Sequence, residues 1–88
     1  MTSRETVVAG AVSYVRKIGN RRQARTVTAD DVQRYLDNSQ YSGNTGERRG
    51  IVHSVLRTPT FVPIGYVASS REAARGRMIT NWQLNPSR

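Results

Sequence analysis

Arg49, His53 and Arg57 recur every fourth residue in the stretch NTGERRGIVHSVLR, residues 44–57. At helical pitch, roughly 100° per residue, His53 and Arg57 share a side with Gly46 and Gly50, flanked by Arg49 and Ser54. Ile51, Val52, Val55 and Leu56 fall on the other side. A guanidinium can donate two parallel N–H bonds to a phosphate or a guanine edge, and an imidazole can donate or accept. Two glycines cost such a helix about 2 kcal/mol of propensity relative to alanine. A face without side chains also lets another backbone come close. Two readings are therefore open for residues 44–57: a helix whose polar face lies in a DNA groove, or a basic amphipathic helix with a poor N-terminus.

Other chemistry has little to work with. There is one histidine and no cysteine, which removes thiolate nucleophiles, thiolate metal sites and disulfides. No Ser–His–Asp arrangement, phosphate loop or metal-spaced cluster is present. Asp30 and Asp31 are adjacent carboxylates, but a helix start accounts for them. The expectation is a protein that is not an enzyme, with no catalytic residue, no metal, no cofactor and no small-molecule ligand. Fourteen Lys and Arg against six Asp and Glu give a net charge of +8 and a pI near 11.3. That balance is the electrostatic footprint of a nucleic-acid binder. Thirteen of the fourteen basic residues are arginine, which suits bidentate contacts and also fits codon usage in a GC-rich genome, so the net charge carries more weight than the ratio.

Positioning these residues needs a single domain over 1–88, since 88 residues leave no room for a second core. No apolar run approaches about 18 residues and the N-terminus lacks a signal-peptide layout, so the expected setting is cytoplasmic, with no membrane partner. Thr2 and Glu5 form a capping-box pattern, and the apolar spacing that follows predicts a helix over 3–18, stopped by Gly19-Asn20. Arg21, Arg22 and Arg25 lie in a basic loop that either stays solvated or touches phosphate. Thr28 and Asp31 form a second capping box, with Val27 and Val32 as its staple, opening a helix over 29–37 that carries Arg34 on its polar side. Asn38 to Gly46 is turn chemistry, with the Tyr41 ring packed and its hydroxyl exposed. Asn44 or Thr45 caps the helix at 44–57, where Arg48 points toward the apolar side and snorkels past the core edge. Pro59 ends that helix. Phe61–Ala68 reads as a strand bent by Pro63 and Gly65, and 77–84 as a second strand with Met78, Thr80, Trp82 and Leu84 facing inward.

This order, carried by VTADDVQRYL, TGERRGIVHSVL and the hairpin ending in ITNWQL, resembles the winged helix-turn-helix family over almost the whole chain. The resemblance implies an α+β domain of three helices with a C-terminal two-stranded β-hairpin wing. It implies sequence-specific double-stranded DNA binding by a small phage- or plasmid-type transcriptional regulator, such as a repressor. Asn44, Thr45, Arg48, Arg49, His53, Ser54 and Arg57 would then meet base edges or phosphates. Arg71, Arg75 and Arg77 would fall in the wing, and Arg21, Arg22 and Arg25 would add contacts from the basic loop. The turn before the third helix is longer than a minimal one, and Gly46 and Gly50 sit in the reading helix.

Three alternatives stand beside it. Gly43-Asn44-Thr45-Gly46 is similar to the GxxG loop of KH domains, which implies an RNA-binding module. The same element order also implies an excisionase-like architectural protein. A winged-helix interaction adaptor would need an exposed apolar patch, expected around Phe61, Tyr66 and Trp82. Dimerisation or adjacent binding on DNA is plausible for a module of this size.

Overall fold

Val7, Ala11, Val15 and Gly19, each four residues from the next, form the buried line of α1 (Arg4–Arg21). The structure, a computed structural model, describes residues 4–71 and 75–85. The expected capping box at Thr2 therefore lies outside the described residues. α1 does not stop at Gly19-Asn20 as the sequence suggests; it continues to Arg21. The reason is packing. A Cβ at Gly19 would lie 2.9 Å from Leu84 Cδ1 and 3.1 Å from Val27 Cγ1, so this glycine lets the helix approach the sheet. The chain then turns at Arg25, whose φ is 56°.

β1 (Thr26–Val27) leads directly into α2 (Ala29–Asn38). The Thr28 capping box is present: its Oγ1 accepts from the Asp30 N–H at 3.2 Å, and its own N–H donates to Asp31 Oδ2 at 2.9 Å. Val27 and Val32, either side of the cap, are both fully buried. α3 (Thr45–Leu56) follows, and then β2 (Phe61–Ala68) and β3 (Met78–Leu84) close an antiparallel hairpin.

Among the described residues the fold is thus α+β with three helices, but its sheet has three antiparallel strands in the order β1-β3-β2, not two. The short extended piece before α2 pairs Thr26 with Gln83 and Val27 with Trp82. The Leu84 N–H donates to the Arg25 carbonyl at 3.0 Å, so this pairing satisfies backbone that a two-stranded hairpin would leave open. Between Pro63, opposite Trp82, and Gly65, opposite Asn81, Ile64 has no partner, and Gly65 takes φ 151° at this bulge.

Leu84 is buried and Trp82 and Thr80 are half-buried, but so are Ile79 and Asn81 on the other face, and Met78 is 60% exposed, so the expected alternation does not show in the burial of β3. The inward face is lost at the far end of the hairpin, where Tyr66 and Ala68 are also exposed. The expected apolar patch changes with it. Phe61 is in the core and Trp82 packs on it, whereas the large apolar residues exposed among those described are Val62, Ile64, Tyr66 and Met78. No helix among the described residues is long and apolar enough to cross a membrane.

Candidate nucleic-acid interface

The start of α3 is set by Asn44, whose Oδ1 accepts from the Glu47 N–H at 2.9 Å. Asn44, expected as a nucleic-acid contact, is therefore engaged as the N-cap. Tyr41 donates its hydroxyl to Glu47 at 3.4 Å, and its ring lies so close over Gly43 that no side chain would fit there. Ile51, Val55 and Leu56 bury one side of α3. Thr45, Gly46, Arg49, His53 and Arg57 are exposed on the rest of its surface.

The glycine face is not an open strip of backbone. Arg4, at the start of α1, donates from Nη2 to Ser54 Oγ at 3.2 Å. A Cβ at Gly50 would lie 3.1 Å from the same Nη2. Gly50 and Ser54 thus form a bed for a guanidinium of this chain, rather than a path for a foreign backbone. What stays outward is a strip of Gly46, Arg49, His53 and Arg57 with Arg4 along one border. Sequence reasoning missed Arg4, though its register held the signal. It lies three, seven and eleven residues before Val7, Ala11 and Val15, on the inner line of α1.

Arg48 does not snorkel freely. Its Nη1 donates to Gln33 Oε1 at 2.9 Å and its Nη2 pairs with Asp37 Oδ1 at 2.8 Å, tying α3 to α2. Asp37 also meets Arg71 at 3.5 Å. The hydrogen bond from Arg48, helped by Arg71, holds the Asp37 carboxyl below its ordinary value. Arg75 and Arg77 are exposed near the turn between β2 and β3, and residues 72–74 of that turn lie outside the described residues.

Asp30 does more than cap. Its carboxylate accepts from Ser69 Oγ at 2.9 and 3.0 Å and from the Ser70 N–H at 2.8 Å, pinning the end of β2 to the start of α2. The two serines directly after the strand were the available signal.

Within the expected basic loop, Arg22 grips the buried Asp31 at 2.7 and 2.9 Å and also donates to the Thr26 carbonyl at 3.0 Å. That hydrogen bond to Asp31 raises the Arg22 pKa, outweighing partial burial. Arg22 therefore holds the fold together. Arg21, which ends α1, and Arg25 remain exposed. Ion pairs among the described residues engage Arg22, Arg48 and Arg71, and not Arg49, His53 or Arg57. No three His, Asp or Glu side chains converge among the described residues as a metal site would require. Comparison of the chain with models of known protein families finds no match, and comparison with curated proteins finds none.

Proposed function

We propose that this protein binds double-stranded DNA in the manner of a winged helix-turn-helix regulator, with the outward strip of α3 in the major groove. The observation that carries this reading is that Arg49, His53 and Arg57 are all exposed on one side of a helix and, among the described residues, none is held by an acid. An arginine held by a carboxylate must break that pair to reach a phosphate; these need not. Arg4 borders the strip, and Arg75 and Arg77 supply cations from the wing for the adjacent backbone or minor groove. Arg22, Arg48 and Asn44 support the frame, and Gly50 and Ser54 receive Arg4. An RNA clamp at the GNTG loop fits less well, because Gly43 is covered by the Tyr41 ring and Asn44 caps α3.

The test is duplex retention as a function of salt. With about four to six phosphates neutralised, log K against log salt should slope by roughly −3.6 to −5.4. Arg49→Ala should lose about 1–3 kcal/mol on a selected site and much less on random DNA. Absence of duplex binding at low salt sinks the proposal. A second reading, a protein-interaction adaptor, is favoured by the exposed Val62, Ile64, Tyr66 and Met78. Binding to a protein partner with no salt-dependent duplex binding would select it.

A further inference from the structure

The outer side of α1 carries a second cationic surface that the α3 strip does not use. Ser13, Arg16, Lys17 and Asn20 are all exposed and together line one shallow hollow. At 100° per residue they lie between about 120° and 180° round the helix from the inner line of Arg4, Ala11 and Val15. Arg21, the last residue of α1, and Arg25, in the connection that follows, are both exposed and add cations at that end of the helix. Residues 13–27 contain no acid at all, and among the described residues the ion pair there is that of Arg22 with Asp31.

This surface points away from α3. The inner side of α1 is the side that meets α3, through Arg4 on Ser54 and Gly50. Arg16 and Arg21 are also displaced from Arg4 by about 18 and 25 Å along the helix axis, at 1.5 Å per residue. Duplex DNA is stiff over about 150 base pairs, so a duplex seated on the α3 strip does not curl back onto the far side of α1 without a large bend. The guanidinium of Arg16, an ammonium, a hydroxyl and an amide round one hollow, with the guanidiniums of Arg21 and Arg25 beside them, match a phosphate backbone, and they offer no apolar pocket to read a base.

We infer that the Ser13–Arg16–Lys17–Asn20 face, with Arg21 and Arg25, holds the backbone of a second duplex segment, so that one molecule bridges two DNAs. The inference rests on the α3 strip binding the first duplex. It makes the protein an organiser of DNA segments as well as a reader of one.

The test tethers one duplex to beads and supplies a second, fluorescent duplex of the same sequence in solution. The full chain should bring the fluorescent duplex to the beads. Arg16→Gln with Lys17→Gln should abolish this capture. Its affinity for a single short duplex should stay within a factor of about two, the range expected for exposed positions that do not touch the ligand. Circular dichroism of the variant confirms the fold. If the wild type binds the tethered duplex but captures none of the other, bridging is overturned while the α3 reading stands. If the double variant still captures, a surface other than this face does the bridging. If it instead loses single-duplex affinity along with salt slope, both faces serve one bent duplex and the two-duplex inference fails. Binding to neither duplex defeats the α3 reading itself.

Discussion

Arg22 and Asp31 form a bidentate ion pair, at 2.7 and 2.9 Å, in which the carboxylate is buried and also accepts the Thr28 N–H that opens α2. The pair joins the residue after α1 to the first turn of α2 across the β1 connection. Arg22→Ala would leave a buried carboxylate without its main partner. The Arg22 side chain is 40% exposed, so water relieves part of that loss. The expected cost is about 1–3 kcal/mol. Each kcal/mol corresponds to a fall in Tm of roughly 4–8 °C for a domain of this size. Duplex affinity per folded molecule should be unchanged. A variant that melts like the wild type but binds DNA poorly would move Arg22 from the frame to the interface.

Gly19 gives a graded test of the contact between α1 and the sheet. Gly19→Ala gains about 1 kcal/mol of helix propensity but pushes on Leu84 and Val27, an overpacking cost of about 1–3 kcal/mol. The balance is a net loss of up to about 2 kcal/mol. Gly19→Val adds bulk with less propensity gain and should be clearly less stable. Should denaturant midpoints rank valine above glycine, the close approach is not limiting.

Gly50 separates an open backbone from a bed for Arg4. Gly50→Ala should leave folding unchanged or raise stability by up to about 1 kcal/mol, because the atom it meets is the mobile end of an arginine. Gly50→Glu should also fold, with the new carboxylate pairing to Arg4, and should weaken duplex binding by removing a cation from the border of the strip. In an Arg4→Ala background that second effect should shrink. Equal losses in both backgrounds would show that the glutamate repels DNA directly.

Asp37 links acid response to binding. Its folded-state pKa is lowered, chiefly by Arg48, so its stabilising contribution is complete above the ordinary aspartate range and is lost as pH falls through the lowered value. The window is therefore below about pH 4. With its side chain 49% exposed, the effect should be under about 1 kcal/mol. Asp37→Asn should abolish that increment of acid sensitivity in urea titrations. It should also release Arg71, steepening the salt slope of duplex binding by about 0.9 if that arginine reaches a phosphate. An unaltered slope would keep Arg71 out of the interface.

Trp82 is half-buried against the core, not enclosed by it. Trp82→Ala should cost about 2–3 kcal/mol, short of the 3–5 kcal/mol of a fully enclosed aromatic. Calorimetry giving 4 kcal/mol or more would mean that β3 leans further into the core than its exposure indicates.

What could be read from the sequence was local. Thr28 with Asp31, and Asn44 ahead of Glu47, set two helix starts because a cap and its partner lie within three residues. The β-branched and aromatic content of FVPIGYVA and the alternation in MITNWQL marked the hairpin, and helical spacing put Arg49, His53 and Arg57 opposite Ile51 and Val55. The unread features join distant parts of the chain. Arg4 and Ser54 are 50 residues apart, and Asp30 and Ser69 are 39 apart. Gly19 looked like a helix stop because the Leu84 side chain that requires a glycine there arrives from the last strand. β1 was not legible as a strand, since two residues carry no alternation. Which arginines are engaged was equally illegible, because charge totals do not show that Arg22, Arg48 and Arg71 are matched to Asp31 and Asp37.

The bulge at Pro63–Gly65 has a bearing on how the protein behaves at high concentration. β2 is an outer strand with exposed Val62, Ile64 and Tyr66, a composition that invites edge-to-edge polymerisation. Proline has no N–H to offer an incoming strand, and the unmatched Ile64 shifts the pleat by one residue midway along the edge. A second β2 laid alongside would find its ladder interrupted at the centre, so the strand stays apolar without becoming a template for fibres.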